Sequence, residues 1–123
     1  MHTIKENGGF MAKIEKNLIG DFDHLVQYVH DTVLSKSISA SFEDGSDYFH
    51  NNMRVATRVY ERYSYLGQNR VSLNVTIVGV DNNLFCSAIT SGGSQGVFFK
   101  INTFGESSFL KPLKDALDTY SSY

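Results

Sequence analysis

The sequence predicts an α+β fold: a single domain with an antiparallel sheet of five or six strands and two helices on one face, in the order strand, helix, strand meander, helix. Three observations predict it. Val71, Leu73, Val75 and Ile77 alternate with Ser72, Asn74 and Thr76, which is the period of a half-buried strand. Two segments instead repeat apolar residues at helical spacing, Phe22, Leu25, Val26, Val29 and Val33 in one, Phe109, Leu110, Leu113, Ala116, Leu117 and Tyr120 in the other. Short turn signals join most of the strands, and hairpin-length connections make neighbours antiparallel.

Residues 1–10, MHTIKENGGF, are polar and aperiodic. They are read either as an extension upstream of a biological start at Met11 or as a short disordered tail of the protein itself. Residues 11–123 form the domain. Its first strand is predicted over 12–20, with Ile14 and Leu18 facing one way and Lys13, Glu15 and Asn17 the other. Asp21 is placed to cap a helix over 22–35, its carboxylate accepting from the first-turn amides. A second strand carries Ile38, Ala40 and Phe42. The polar run EDGSDYFHNN (43–52) is read as a solvated connection, since Glu43, Asp44 and Asp47 do not have the spacing of a calcium loop.

Residues 53–66 make the longest strand-like segment, rich in β-branched and aromatic side chains. Turn chemistry at Gly67-Gln68-Asn69 and at Asp81-Asn82-Asn83 brackets the strand around 71–77, and another strand follows over 84–90. TSGGSQG interrupts before a strand beginning at Val97. The closing helix is predicted over 107–121, with Ser107 or Ser108 as cap and Pro112 tolerable only near its start.

Composition narrows the function classes. The 123 residues are 41% hydrophobic and 13% aromatic, too apolar for a disordered chain. No apolar run approaches the roughly 18 residues that span a bilayer, and residues 1–17 lack the apolar stretch of a secretory signal. A single cysteine cannot form an internal disulfide, which favours a reducing compartment, so a cytoplasmic protein is expected. The net charge of −2 and the absence of a basic cluster in the loops argue against nucleic acid as partner. Cys86 sits mid-strand among apolar neighbours, His2, His24, His30 and His50 are scattered, and no catalytic, phosphate-binding or metal-ligand motif is present. The expectation is a non-enzyme with no cofactor and no metal.

Two features merit weight as sites. If Val55 and Val59 turn toward the helices, Arg54, Arg58 and Arg62 turn away with Tyr60, every fourth residue of a strand lying on one face. Arg70 and Lys100, with Phe98 and Phe104, join them in this reading. The helix-free face then becomes a basic and aromatic platform for a second copy of the chain or a small anionic ligand. The bland alternative is a solvated face whose arginines pair with carboxylates across strands. The second feature is Ser91-Gly92-Gly93-Ser94-Gln95, where backbone N–H groups could form an anion-binding nest. Its alternative is a bulge that needs glycine for geometry alone.

ERYSYLGQNRVSLNVTIVG (61–79) and SAITSGGSQGVFFKINTFGE (87–106) resemble an uncharacterised bacterial family of small cytosolic proteins, a domain of unknown function, over Met11 to about Tyr120. That resemblance implies no activity, cofactor or site residue. The element order also resembles TATA-binding-protein-like and helix-grip folds. The leading expectation is a homodimeric, non-enzymatic interaction module. A carrier or sensor holding an anionic or amphipathic ligand between the sheet and the C-terminal helix is the alternative. The two differ in what lies beneath Phe109, Leu113 and Leu117, packed core or cavity.

Overall fold

A computed structural model of the chain describes residues 5–6, 11–36, 39–64, 69–92 and 110–120. Its strands are β1 (Lys5–Glu6), β2 (Met11–Ile19), β3 (Ala40–His50), β4 (Met53–Ser64), β5 (Asn69–Val80) and β6 (Asn83–Gly92). Its helices are α1 (Phe22–Lys36) and α2, residues 110–118. All strand pairs are antiparallel, in the order β1-β2-β6-β5-β4-β3. The α+β expectation holds. No helix among the described residues is long and apolar enough to cross a membrane.

Local chemistry explains the joints. The Asp21 carboxylate accepts from the His24 N–H at 2.9 Å, which caps α1 as the sequence predicts. The hairpins turn at Asn51-Asn52 and Asp81-Asn82, with Asn51 (φ 55°) and Asp81 (φ 56°) in the left-handed region that Asn and Asp tolerate. The two turns are tied together, Asn52 Nδ2 donating to Asp81 Oδ1 at 3.2 Å.

The connection from β2 to β3 must pass three intervening strands. A 15-residue helix is about 22 Å long, and four strand spacings are about 19 Å. So α1 is long enough to cross the sheet from one side to the other. Its Phe22, Leu25, Val29 and Val33 share one core with Leu110, Leu113 and Leu117 of α2. Both helices therefore cover the same face, whose floor includes Ile14, Ala56, Tyr60, Leu73, Ile77, Cys86 and Ala88. α2 is held to α1 and β2 by polar contacts: Tyr28 Oη donates to Ala116 O (3.0 Å), His24 Nδ1 meets Tyr120 Oη (2.8 Å), and Lys16 pairs with Asp118 (3.2 Å).

One element differs from expectation. Residues 43–50 are strand, not a solvated connection, and the turn shrinks to Asn51-Asn52. Among the described residues β3 is the edge of the sheet and has no buried face to impose alternation; it is exposed from Ser41 to His50. A bulge between Phe42 and Asp44 absorbs one residue and shifts the register. The strand expected from Val97 and the cap at Ser107 or Ser108 lie outside the described residues.

Candidate functional site

β4 sets the phase of the arginines. Ala56 and Tyr60 are buried in the core, and the register puts Arg54, Arg58 and Arg62 opposite Gly79, Val75 and Val71. Opposed residues in an antiparallel pair share a face. The three arginines therefore lie on the helix side, and the expected basic platform on the helix-free face is corrected. The physical reason is Tyr60, whose ring needs burial and whose Oη finds His30 Nδ1 at 3.0 Å inside the helix layer. Val55 and Val59, by composition equally suited to the core, take the other face. Arg70, opposite Tyr63, is on the helix-free face, so the five basic residues do not assemble on one surface. Lys100, Phe98 and Phe104 lie outside the described residues.

Three of these guanidiniums are already committed to carboxylates of the chain. Arg54 Nη2 bonds Asp23 Oδ1 at 2.8 Å, with Cζ 4.6 Å above the Phe22 ring. Arg58 Nη2 bonds Asp47 Oδ1 at 3.1 Å, while Nη1 donates to Thr57 O at 2.8 Å. The Arg58 stem lies across Gly45, where a β-carbon would sit 2.9 Å from its Cδ. Arg70 Nη1 bonds Glu61 Oε1 across β5 and β4 at 2.9 Å. Burial pulls the Arg62 guanidinium below its ordinary pKa. An external anion at Arg54, Arg58 or Arg70 would meet a guanidinium whose charge a carboxylate of the chain already partners. The cross-strand pairing alternative describes Arg58 and Arg70.

The glycine loop follows its plainer reading where it is described. Ser91 Oγ is engaged with Ser72 Oγ at 2.9 Å. Gly92 has φ +108°, and a β-carbon there would lie 2.7 Å from Arg70 O, so a close strand approach requires glycine. Gly93, Ser94 and Gln95 lie outside the described residues. Burial pushes the Cys86 thiol up to about 12, which keeps it from being a thiolate near neutrality. Leu113 and Leu117 are buried in the core. Phe109 lies outside the described residues. A groove of about 650 Å³ among Lys36, Lys111, Pro112, Asp115, Ala116 and Thr119 borders exposed helix side chains.

The surface that sequence reasoning missed is the apolar end of the helix-free face. Register places Phe85, Val78, Val55 and Tyr48 side by side across β6, β5, β4 and β3. The next row, Ile19, Asn83, Val80, Met53 and His50, brings three more apolar residues to the same end. Tyr48 is 58% exposed, Ile19 56% and Val80 40%. The row on the other side is Glu15, Ser87, Thr76, Thr57 and Ser46, the next is Lys13, Ile89, Asn74, Val59 and Asp44, and Glu61 and Arg70 lie beyond it. The available signal was the failure of alternation at Ile77-Val78-Gly79-Val80, which leaves apolar side chains for both faces.

The Pseudomonas aeruginosa protein of unknown function PA94 matches with a TM-score of 0.51 at 10% identity, over 98% of this chain and 83% of that one. Protein Ms6760 from Mycobacterium smegmatis matches with a TM-score of 0.37 at 11% identity, over 98% and 99%. A STAR-related lipid transfer protein from Xanthomonas axonopodis matches with a TM-score of 0.40 at 11% identity, over 96% and 99%. At such identity the first likeness concerns the fold alone. No curated protein matches the chain. The model of a family of unknown function, DUF6054, matches residues 11–121, and the chain belongs to that family.

Proposed function

We propose that this protein is a non-catalytic interaction module that forms a homodimer through the apolar end of its helix-free sheet face. The observation that carries the reading is the cluster Phe85, Val78, Val55, Tyr48, Val80 and Met53, contiguous by register and uncovered by either helix, with Ile19 beyond Asn83 at its margin. Single exposed apolar residues are ordinary; a contiguous patch rimmed by polar rows marks a contact surface. Five strands about 4.8 Å apart and ten residues rising about 3.3 Å each give the whole helix-free face about 800 Å², the size of one partner's share of a stable interface, and the two apolar rows take about 300 Å² of it. A two-fold axis would lay the apolar rows of one copy on those of the other, with the charged rows as rim.

The test is sedimentation velocity from about 1 to about 100 µM protein, the range in which a micromolar dimer dissociates. Wild type is expected to pass from monomer to dimer. Val78→Lys sets an ammonium at the centre of the patch, where the isolated copy can extend it to water but a dimer buries it. Dimer affinity is expected to fall at least about thirtyfold, equivalent to about 2 kcal/mol, with the urea midpoint of the monomer unchanged. A wild type that stays monomeric throughout, or a variant that dimerises as well as wild type, overturns the reading.

A further inference from the structure

We infer that β3 is an acceptor edge for an extended, Lys/Arg-bearing segment of another protein, which adds to the sheet as a further strand. The geometry points to an edge-on partner because of two neighbours. Tyr48 is 58% exposed and Phe49 is 72% exposed. Tyr48 stands opposite Val55 on the helix-free face, and Phe49 opposite Arg54 on the helix face. A body docking on either face covers one ring only. A strand laid alongside β3 flanks both, because its own side chains alternate between the faces.

Charge selects the occupant. β3 carries Glu43, Asp44 and Asp47 and no Lys or Arg. Asp44 lies on the helix-free side and Asp47 on the helix side, two residues from Phe49, so each face of the edge offers a carboxylate. Asp47 holds Arg58 through one edge of a carboxylate that remains 65% exposed, with lone pairs left for a second cation. A second copy of the chain fits less well. The regular register runs from Asp44 to His50 and is centred on Asp47. Full antiparallel overlap of two copies would set Asp47 directly opposite Asp47, and like charges at that position destabilise the pair. A lysine or arginine there turns repulsion into a cross-strand ion pair. Backbone pairing gives such a complex its affinity, and alternate side chains give it specificity.

The experiment is fluorescence anisotropy with a labelled peptide, Thr-Val-Tyr-Lys-Thr-Val-Lys-Thr, on full-length protein. Three controls accompany it: the same peptide with Glu for Lys, and two versions N-methylated at alternate amides in opposite registers. The basic peptide is expected to bind, the Glu version at least about tenfold more weakly. One methylation register should abolish binding and the other leave it, since only alternate amides of an added strand face the sheet. Phe49→Ala, a surface change that circular dichroism should show folded, is expected to weaken binding about tenfold. Val78→Lys should bind as wild type does, which separates this inference from the dimer reading. Absence of binding, equal binding of the Lys and Glu peptides, tolerance of both methylation registers, or no effect of Phe49→Ala overturns the inference. It is overturned equally if Phe49→Ala alone converts a dimer to a monomer, because the edge is then occupied by a second copy.

Discussion

Along β5 the two faces of the sheet can be compared residue by residue. Val71, Leu73, Val75 and Ile77 are fully buried under the helices, while Asn74, one position away from Leu73, is exposed and Ser72, Thr76 and Val78 are half-buried. The covered face admits a polar group only with a partner, as Tyr60 shows with His30. The helix-free face mixes apolar, hydroxylic and charged rows that no helix contacts. The difference teaches where free energy of folding is concentrated and where surface is left for association: the same strands supply both, and parity decides which. The comparison breaks most directly at Leu73 and Asn74. Leu73→Ala is expected to lower unfolding free energy by about 2–5 kcal/mol through lost burial and a residual cavity, whereas Asn74→Ala should stay within about 0.5 kcal/mol. Urea unfolding of both variants checks it, and equal losses would show that the open face is as tightly packed as the covered one.

A smaller effect sharpens the contrast through pH. Burial raises the Tyr60 hydroxyl from 10.0 to about 12. In the unfolded chain the phenol ionises near its ordinary value, while in the folded chain it stays protonated. Between pH 10 and 12 the unfolded state therefore binds fewer protons, and stability falls as pH rises. The contribution is fully present below pH 10 and is lost through about pH 12, of order 2 kcal/mol for a shift of this size. Cys86, raised from 9.0 to about 12, acts with the same sign from a lower starting pH. Thermal melting at intervals from pH 8 to 12 should show the decline. Tyr60→Phe should start lower, having lost the contact with His30, and decline less steeply.

These two faces were unequally legible in the sequence. β5 was read correctly because its apolar residues fall on one parity and its hydroxyl and amide residues on the other, up to Ile77. β4 was read with the faces exchanged because it carries apolar residues on both: Val55 and Val59 on one parity, Ala56 and Tyr60 on the other. Arginine at every fourth residue, interleaved with Ala56 and Tyr60, has the pattern of a solvent face. The deciding fact is non-local, the pairing of Tyr60 with Leu73 and of Ala56 with Ile77, which no single-strand pattern contains. β3 was half missed because an edge strand exposed along almost its whole length shows no burial period. The capped helix, the hairpin at Asp81-Asn82 and the helix stripes were legible because they rest on local chemistry. The apolar rows of the open face were not, since they exist only once five strands stand in register.

The smallest effect tests the arginines themselves. Arg58 is held by Asp47 and by the carbonyls of Thr57 and Ser46, with its stem across Gly45. Its side chain is 18% exposed but that of Asp47 is 65% exposed, so water screens the pair. A double-mutant cycle with Arg58→Ala and Asp47→Ala should return a coupling of about 0.5–1 kcal/mol, the range of partly exposed pairs. Arg58→Ala alone should cost more than the coupling, because the carbonyl bonds and the packing of the stem are lost with the charge. Sedimentation of the same variant gives the sharper result. With Arg58 on the helix face and committed within its own chain, the dimer of the helix-free face should be unchanged by its removal. A dimer weakened by Arg58→Ala but indifferent to Val78→Lys would return the contact surface to the helix side, and with it the basic strip of β4.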